Sequence, residues 1–208
     1  MKTRSELVTE FRRLIDQPNT GIISPTTANA EINKAYKELV AKIVKWNDRF
    51  YRKTGTLTTV ASTAYVAYPS DAIFINRIID SDKETLPHLD LELFELSEAE
   101  GTPHGWDAAG RYVYFHPTPS AALSYTAYYT YFPTELSLDS STPEFIPGYE
   151  DIIALKAAIN SKMIRDQDVR DMVMNDYRDM EKDLRFAAMT QHTGASRRVI
   201  PSDYEYQD

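Results

Sequence analysis

The 208-residue chain has no cysteine. Disulfide staples, thiolate zinc sites and cysteine nucleophiles are therefore excluded. No apolar run approaches the ~20 residues that a membrane-spanning helix needs, and no membrane association is expected. The opening Met1-Lys2-Thr3-Arg4-Ser5-Glu6 lacks the apolar stretch of a secretory signal, which predicts synthesis that stays in the cytoplasm. Glycine-rich phosphate loops and nucleophile elbows are missing as well. The histidines are His88, His104, His116 and His192, and no two have the i,i+3 or i,i+4 spacing of helical metal ligands. No metal or other cofactor is expected. Basic residues are scarce in the middle of the chain: residues 54–146 hold 3 against 13 acidic. Residues 1–53 hold 11 against 6, and residues 147–208 hold 9 against 12, for a net charge of −8. Phosphate neutralisation needs clustered Lys and Arg, so an acidic chain makes a poor general DNA binder. The uneven split suits either ordinary solvated surface or attraction between neighbouring copies.

Helical texture is present at both ends. Leu7, Phe11, Leu14 and Ile15 predict a short helix over 4–16, closed by Pro18-Asn19-Thr20-Gly21. Pro25 and Thr26-Thr27 supply start signals for a helix over about 27–53. Its stripe is Ile32, Tyr36, Leu39, Ile43, Trp46 and Phe50, and Gly55 is a plausible stop. Lys34, Lys42, Lys45, Arg49 and Arg52 fall opposite that stripe. Toward the C-terminus, Gly148 to Arg165 reads as helix on Ile152, Ile153, Leu155, Ile159 and Met163. Asp168 to Met189 reads as another on Val169, Val173, Tyr177, Met180 and Leu184. Residues 193–208 carry no helical period and too few apolar residues for a core of their own.

Strands and turns lie between. Leu57–Ala61 and Ala64–Tyr68 read as one hairpin, and Gly105–Ala108 with Arg111–His116 as a second around Ala109-Gly110. Ile73–Asp80 and Ala122–Phe132 read as strands, and the acidic, leucine-rich Leu89–Glu100 as a helix with Asp90 near its cap. Residues 133–146 are a loop bearing proline, serine and threonine. Segregated helices and strands argue for an α+β fold and against a parallel doubly wound sheet. The expected organisation is a helical domain of 1–55 and 147–192, an inserted antiparallel β domain of 56–146, and an extended C-terminal tail of 193–208.

None of the richer clusters forms a catalytic constellation. Asp90, Glu92, Glu95, Glu98 and Glu100 read as a solvated or subunit-facing surface at helical spacing rather than as an acid/base pair. Tyr125, Tyr128, Tyr129 and Tyr131 suggest a stacking platform, but odd and even positions of a strand point to opposite faces. The basic side of the 27–53 helix lacks interleaved aromatics and a helix-turn-helix partner, so a solvated face is the better reading.

Four motifs follow a recognisable order between the two helical segments. Tyr65-Val-Ala-Tyr-Pro69-Ser-Asp71 and Gly101-Thr-Pro103 precede Gly110-Arg-Tyr-Val-Tyr-Phe-His-Pro117-Thr-Pro119, and Pro143-Glu-Phe-Ile-Pro147-Gly-Tyr149-Glu-Asp151 then opens a helix. Over residues 26–165 this resembles the head-to-tail adaptor, or connector, proteins of tailed bacteriophages, which are not enzymes. The resemblance implies a virion neck component: a homo-oligomeric ring, usually of twelve copies, that joins the portal protein to the tail or nozzle protein. Double-stranded DNA passes through such a ring without sequence-specific binding, and a negative wall suits that passage. It further implies a helical part toward portal and neighbours, a β domain toward the tail, and a C-terminal segment on the portal. Arg197, Arg198, Pro201, Tyr204 and Tyr206 are then the expected portal contacts. Lys45, Arg49, Glu92, Glu95 and Tyr128 are the expected subunit-interface residues. The rival readings are a monomeric carbohydrate-binding module built on the Tyr-rich strand and, more weakly, a carboxylate-dependent hydrolase.

Overall fold

The first two helices start on local capping chemistry. The computed structural model describes residues 1–16, 23–90 and 100–190. Helix α1 (Arg4–Leu14) opens with a capping box, in which Thr3 accepts from the Glu6 N–H and the Glu6 carboxylate accepts from the Thr3 N–H. Helix α2 (Pro25–Trp46) starts at Ser24, whose hydroxyl accepts from the Thr27 N–H at 3.1 Å, with Pro25 in the first turn. It ends seven residues earlier than the sequence pattern suggests. Asn47 is extended; its amide donates to the Ala188 carbonyl at 2.7 Å and its side-chain oxygen accepts from the Arg49 N–H at 3.0 Å. An asparagine bonded this way competes with the helical ladder. Gly55, expected as the stop, lies inside a strand instead.

Helix α3 (Asp151–Ser161) packs against α1, α2 and α4 (Gln167–Thr190). Burial on every side explains its nearly all-apolar composition, with Ile152, Ile153, Ala154, Leu155, Ala157 and Ala158 buried. Lys162 adopts a left-handed conformation (φ 56°) and closes it. Met163, expected in the core, therefore falls beyond the helix and is exposed, and Val169 at the start of α4 is exposed too. Val173, Tyr177 and Leu184 are buried as the spacing predicts.

The loop after the β region is strapped to α1 and α2. Arg4 donates to the carbonyls of Leu136 and Ser137 at 2.9 and 2.8 Å. Asn33 bonds Leu136 twice, accepting from its N–H at 2.9 Å and donating to its carbonyl at 3.2 Å. Leu136, Phe145 and Ile146 are buried, and Phe145 meets Tyr36 edge-on at 6.3 Å.

The remaining strands are short: β1 (Arg52–Thr58), β2 (Tyr65–Ala67), β3 (Ala72–Ile79), β4 (Thr85–Leu86), β5 (Glu100–Gly101), β6 (Gly105–Ala109), β7 (Tyr112–His116), β8 (Thr118–Pro119) and β9 (Ser124–Tyr131). They form sheets in the orders β1-β9-β3-β4, β2-β7-β6 and β5-β8. The β6–β7 hairpin matches the sequence expectation, with Gly110 at φ 61° in its turn, a conformation that costs glycine little. The expected 57–68 hairpin does not form. β1 pairs along its whole length with β9, whereas β2 pairs with β7. The inward residues decide this: Leu57 lies opposite Tyr125 and Val66 opposite Val113, so each strand joins the partner that completes the core. Gly55 lies opposite Ala127, and a Cβ there would come within 3.0 Å of the Tyr129 ring. Ile75, Ile78, Trp106, Val113, Phe115, Tyr125 and Tyr129 build this core, with Phe115 stacked on Tyr125 at 4.9 Å.

By contact the described residues divide into a helical unit, drawn from 1–50 and 135–190, and a β unit within 51–134. Of the acidic stretch expected as a helix, residues 91–99 lie outside the described residues, and Glu100 and Gly101 form β5. The expected tail, 193–208, lies outside them too.

Candidate functional surfaces

In the helical unit, α2 turns Ala30, Lys34, Lys37, Ala41 and Lys45 to solvent, opposite the buried Ile32, Leu39 and Ile43. Lys37 pairs with Glu135. Lys34, Lys45 and the exposed Arg49 enter none of the ion pairs of the described residues. Lys42 departs from the expected outer stripe. It is half-buried and bonds both the Glu181 carboxylate and the Tyr177 hydroxyl. Burial opposes its charge, but these two bonds outweigh burial and raise its pKa. Lys156, on α3, reaches the same Tyr177 ring at 5.6 Å and pairs with Glu38 at 3.1 Å. Burial works against the Glu38 carboxylate, and bonds from Asn160 and Lys156 more than reverse that, so its pKa is lowered. These links tie α2, α3 and α4 together. Arg52, also expected on that stripe, belongs to β1.

A cleft of about 460 Å³ opens between α1 and α4 beside the start of α3. Glu10, Asp151, Asp176, Asp179 and Asp183 line it, with Arg13 as the sole cation among the lining residues. The sequence reading passed over this surface. Its signal was present in the recurrence of Asp176, Asp179 and Asp183 at steps of three and four on α4.

In the β unit, the four Tyr-rich-strand residues divide by face. Tyr125 and Tyr129 are each 3% exposed and point into the core, which removes them from any stacking platform. Tyr128 faces outward, half-buried, between Thr54 and Arg77, with the guanidinium 6.0 Å from its ring centre. Arg52, Lys53, Thr54, Tyr128 and Tyr131 line a shallow groove of about 510 Å³. Lys53 pairs with Asp71, and this bond holds the Asp71 carboxyl below the usual carboxylate range despite partial burial. The Tyr129 hydroxyl donates to the same carboxylate at 3.2 Å. Burial is the first cause that raises the Tyr129 pKa, followed by the Asp71 charge. A second aromatic group is Tyr65 with Tyr112 and Tyr114, at 5.1 and 5.9 Å, on the outer face of the β2-β7-β6 sheet.

Of the residues singled out from sequence, Lys45 and Arg49 are exposed in the helical unit and Tyr128 lines the groove of the β unit. Glu92, Glu95, Arg197, Arg198, Pro201, Tyr204 and Tyr206 lie outside the described residues. No helix among the described residues is long and apolar enough to cross a membrane.

No curated protein matches the chain. The family model for the SU10 adaptor protein matches residues 2–201, nearly the whole length and wider than the 26–165 carried by the motifs. The chain therefore belongs to the SU10 adaptor protein family, a family of phage head-to-tail adaptors.

Proposed function

We propose that the protein is a structural subunit of the virion neck, forming a ring, of twelve copies, between the portal and the tail or nozzle protein. The family match over residues 2–201 carries this reading. Its surface chemistry agrees: the net charge is −8, so a ring of such subunits repels DNA phosphates and lets the duplex slide without sticking. The role is one of attachment and passage, with no bond made or broken.

Attachment to the portal is assigned to residues 193–208, where Arg197 and Arg198 pair with portal carboxylates and Tyr204 and Tyr206 fill portal pockets. Pro201 lowers the entropy lost when the segment binds. The test is a pull-down of the full chain and of a chain truncated after Gly194 on the portal of the same phage, with melting curves of both. The full chain is expected to bind, and the truncated one to melt at nearly the same temperature while binding far more weakly. No capture of portal by the full chain overturns the adaptor role. Full capture by the truncated chain moves attachment to another surface.

A further inference from the structure

We propose that the helical unit docks head-to-tail on a second copy of this chain, the basic outer stripe of α2 in one copy seating on the acidic side of α4 in the next. The inference rests on the ring reading above and names its subunit contact.

The two faces differ sharply in charge. Val169, Met172, Asp176, Asp179, Asp183 and Phe186 fall within a sector of about 100° on α4, at 3.6 residues per turn. Arg178, Lys182 and Arg185 lie outside that sector. Met172 is 54% exposed and Phe186 66%, a degree of exposure that marks an unpartnered face. Asp179 pairs with Lys182, while Asp176 and Asp183 have no cation at ion-pair distance among the described residues. The adjoining cleft adds Glu10 and Asp151, which already pair with Arg13 and Lys2, so the uncompensated charge of this face is that of Asp176 and Asp183. Beyond its first turn, the exposed residues of α2 are Ala30, Lys34, Lys37, Ala41 and Lys45.

Charge and placement together select a second copy as occupant. No residue of α2 lines the acidic cleft. The α2 stripe faces away from α1, α3 and α4, against which the opposite side of α2 packs. The stripe therefore cannot reach the acidic side of its own copy, and a neighbour's stripe can. Lys34 and Lys45, the stripe lysines outside the ion pairs of the described residues, are eleven residues apart, about 16.5 Å along the axis, a span that takes in Asp176 and Asp183, seven apart or about 10.5 Å. Ala30 and Ala41 leave room for Met172 and Phe186 of the neighbour. The contact joins two different faces, so it repeats from copy to copy and closes only as a ring. Exposed ion pairs are individually weak and are screened by salt, which makes the contact loose in isolation and salt-sensitive.

The experiment uses the full-length chain in sedimentation velocity at about 20 mM and about 500 mM salt, conditions between which screening changes most. Wild type is expected to self-associate at low salt and to dissociate at high salt. The doubly reversed variants Lys34→Glu with Lys45→Glu, and Asp176→Lys with Asp183→Lys, are each expected to lose at least about tenfold in association constant, the scale of a 1.4 kcal/mol change. Mixing them is expected to restore association, because each reversed face then meets its complement. Melting curves check that both variants fold. A wild type that stays monomeric at low salt, variants that associate as wild type does, or a mixture that fails to recover overturns the contact. Rings built on the portal by either reversed variant overturn the contact too, yet leave the adaptor role intact. A wild type that never engages the portal overturns the role itself.

Discussion

Leu39 and Ile43 are wholly buried on α2, whereas Lys45 and Arg49 stand in solvent. Truncating Leu39 or Ile43 to Ala removes buried methyl groups and leaves a void, and is expected to cost about 2–5 kcal/mol. Replacing Lys45 and Arg49 by Ala is expected to leave chemical denaturation unchanged, since surface changes fall mostly within about 0.5 kcal/mol. Silent leucine and isoleucine changes contradict the packing. Asp71 tests the electrostatics. Its folded pKa is depressed by Lys53, so its contribution is present above the ordinary carboxylate value and is lost as pH falls through the depressed one. Asp71→Asn is expected to lower the melting temperature at neutral pH and to match wild type at strongly acid pH. A gap that persists unchanged into acid speaks against the Lys53–Asp71 pair. Single residues were legible where spacing settles the face, as for Ile32 and Leu39. Lys42 was not, because its neighbours Tyr177 and Glu181 arrive from a helix 135 and 139 positions away.

Among the elements, the helices are legible as periods, but their ends depend on tertiary partners. The stop of α2 needs Asn47 to find the carbonyl of Ala188, which no local pattern announces. The β6–β7 hairpin is legible because its turn and register are local. The pairing of β1 with β9 joins residues about 70 positions apart, and only the shared core around Leu57 and Tyr125 selects it. The loop from Glu135 to Tyr149 reads as connector in sequence, yet Asn33 and Arg4 bind it through buried or half-buried carbonyls and N–H groups. Asn33→Ala is expected to cost about 1–3 kcal/mol, because the N–H of buried Leu136 loses its partner while its carbonyl keeps Arg4. Amide hydrogen exchange is expected to accelerate around Leu136 in that variant. Unchanged protection there contradicts the strap.

For the whole molecule, the α+β class follows from helical periods at the ends and strand texture between them. The surface proposed for the subunit contact follows less directly. Expectations drawn from sequence fixed on Lys45, Arg49, Glu92, Glu95 and Tyr128, while the acidic side of α4 emerges only when Asp176, Asp179 and Asp183 are seen beside Glu10 and Asp151. The central claim is that this family member encircles the channel as a ring on the portal. The most direct test is a native mass measurement of the portal alone and of the portal mixed with the full-length chain. The account predicts a mass gain of twelve chains of 23.8 kDa per portal assembly. A portal mass that does not change on mixing contradicts it.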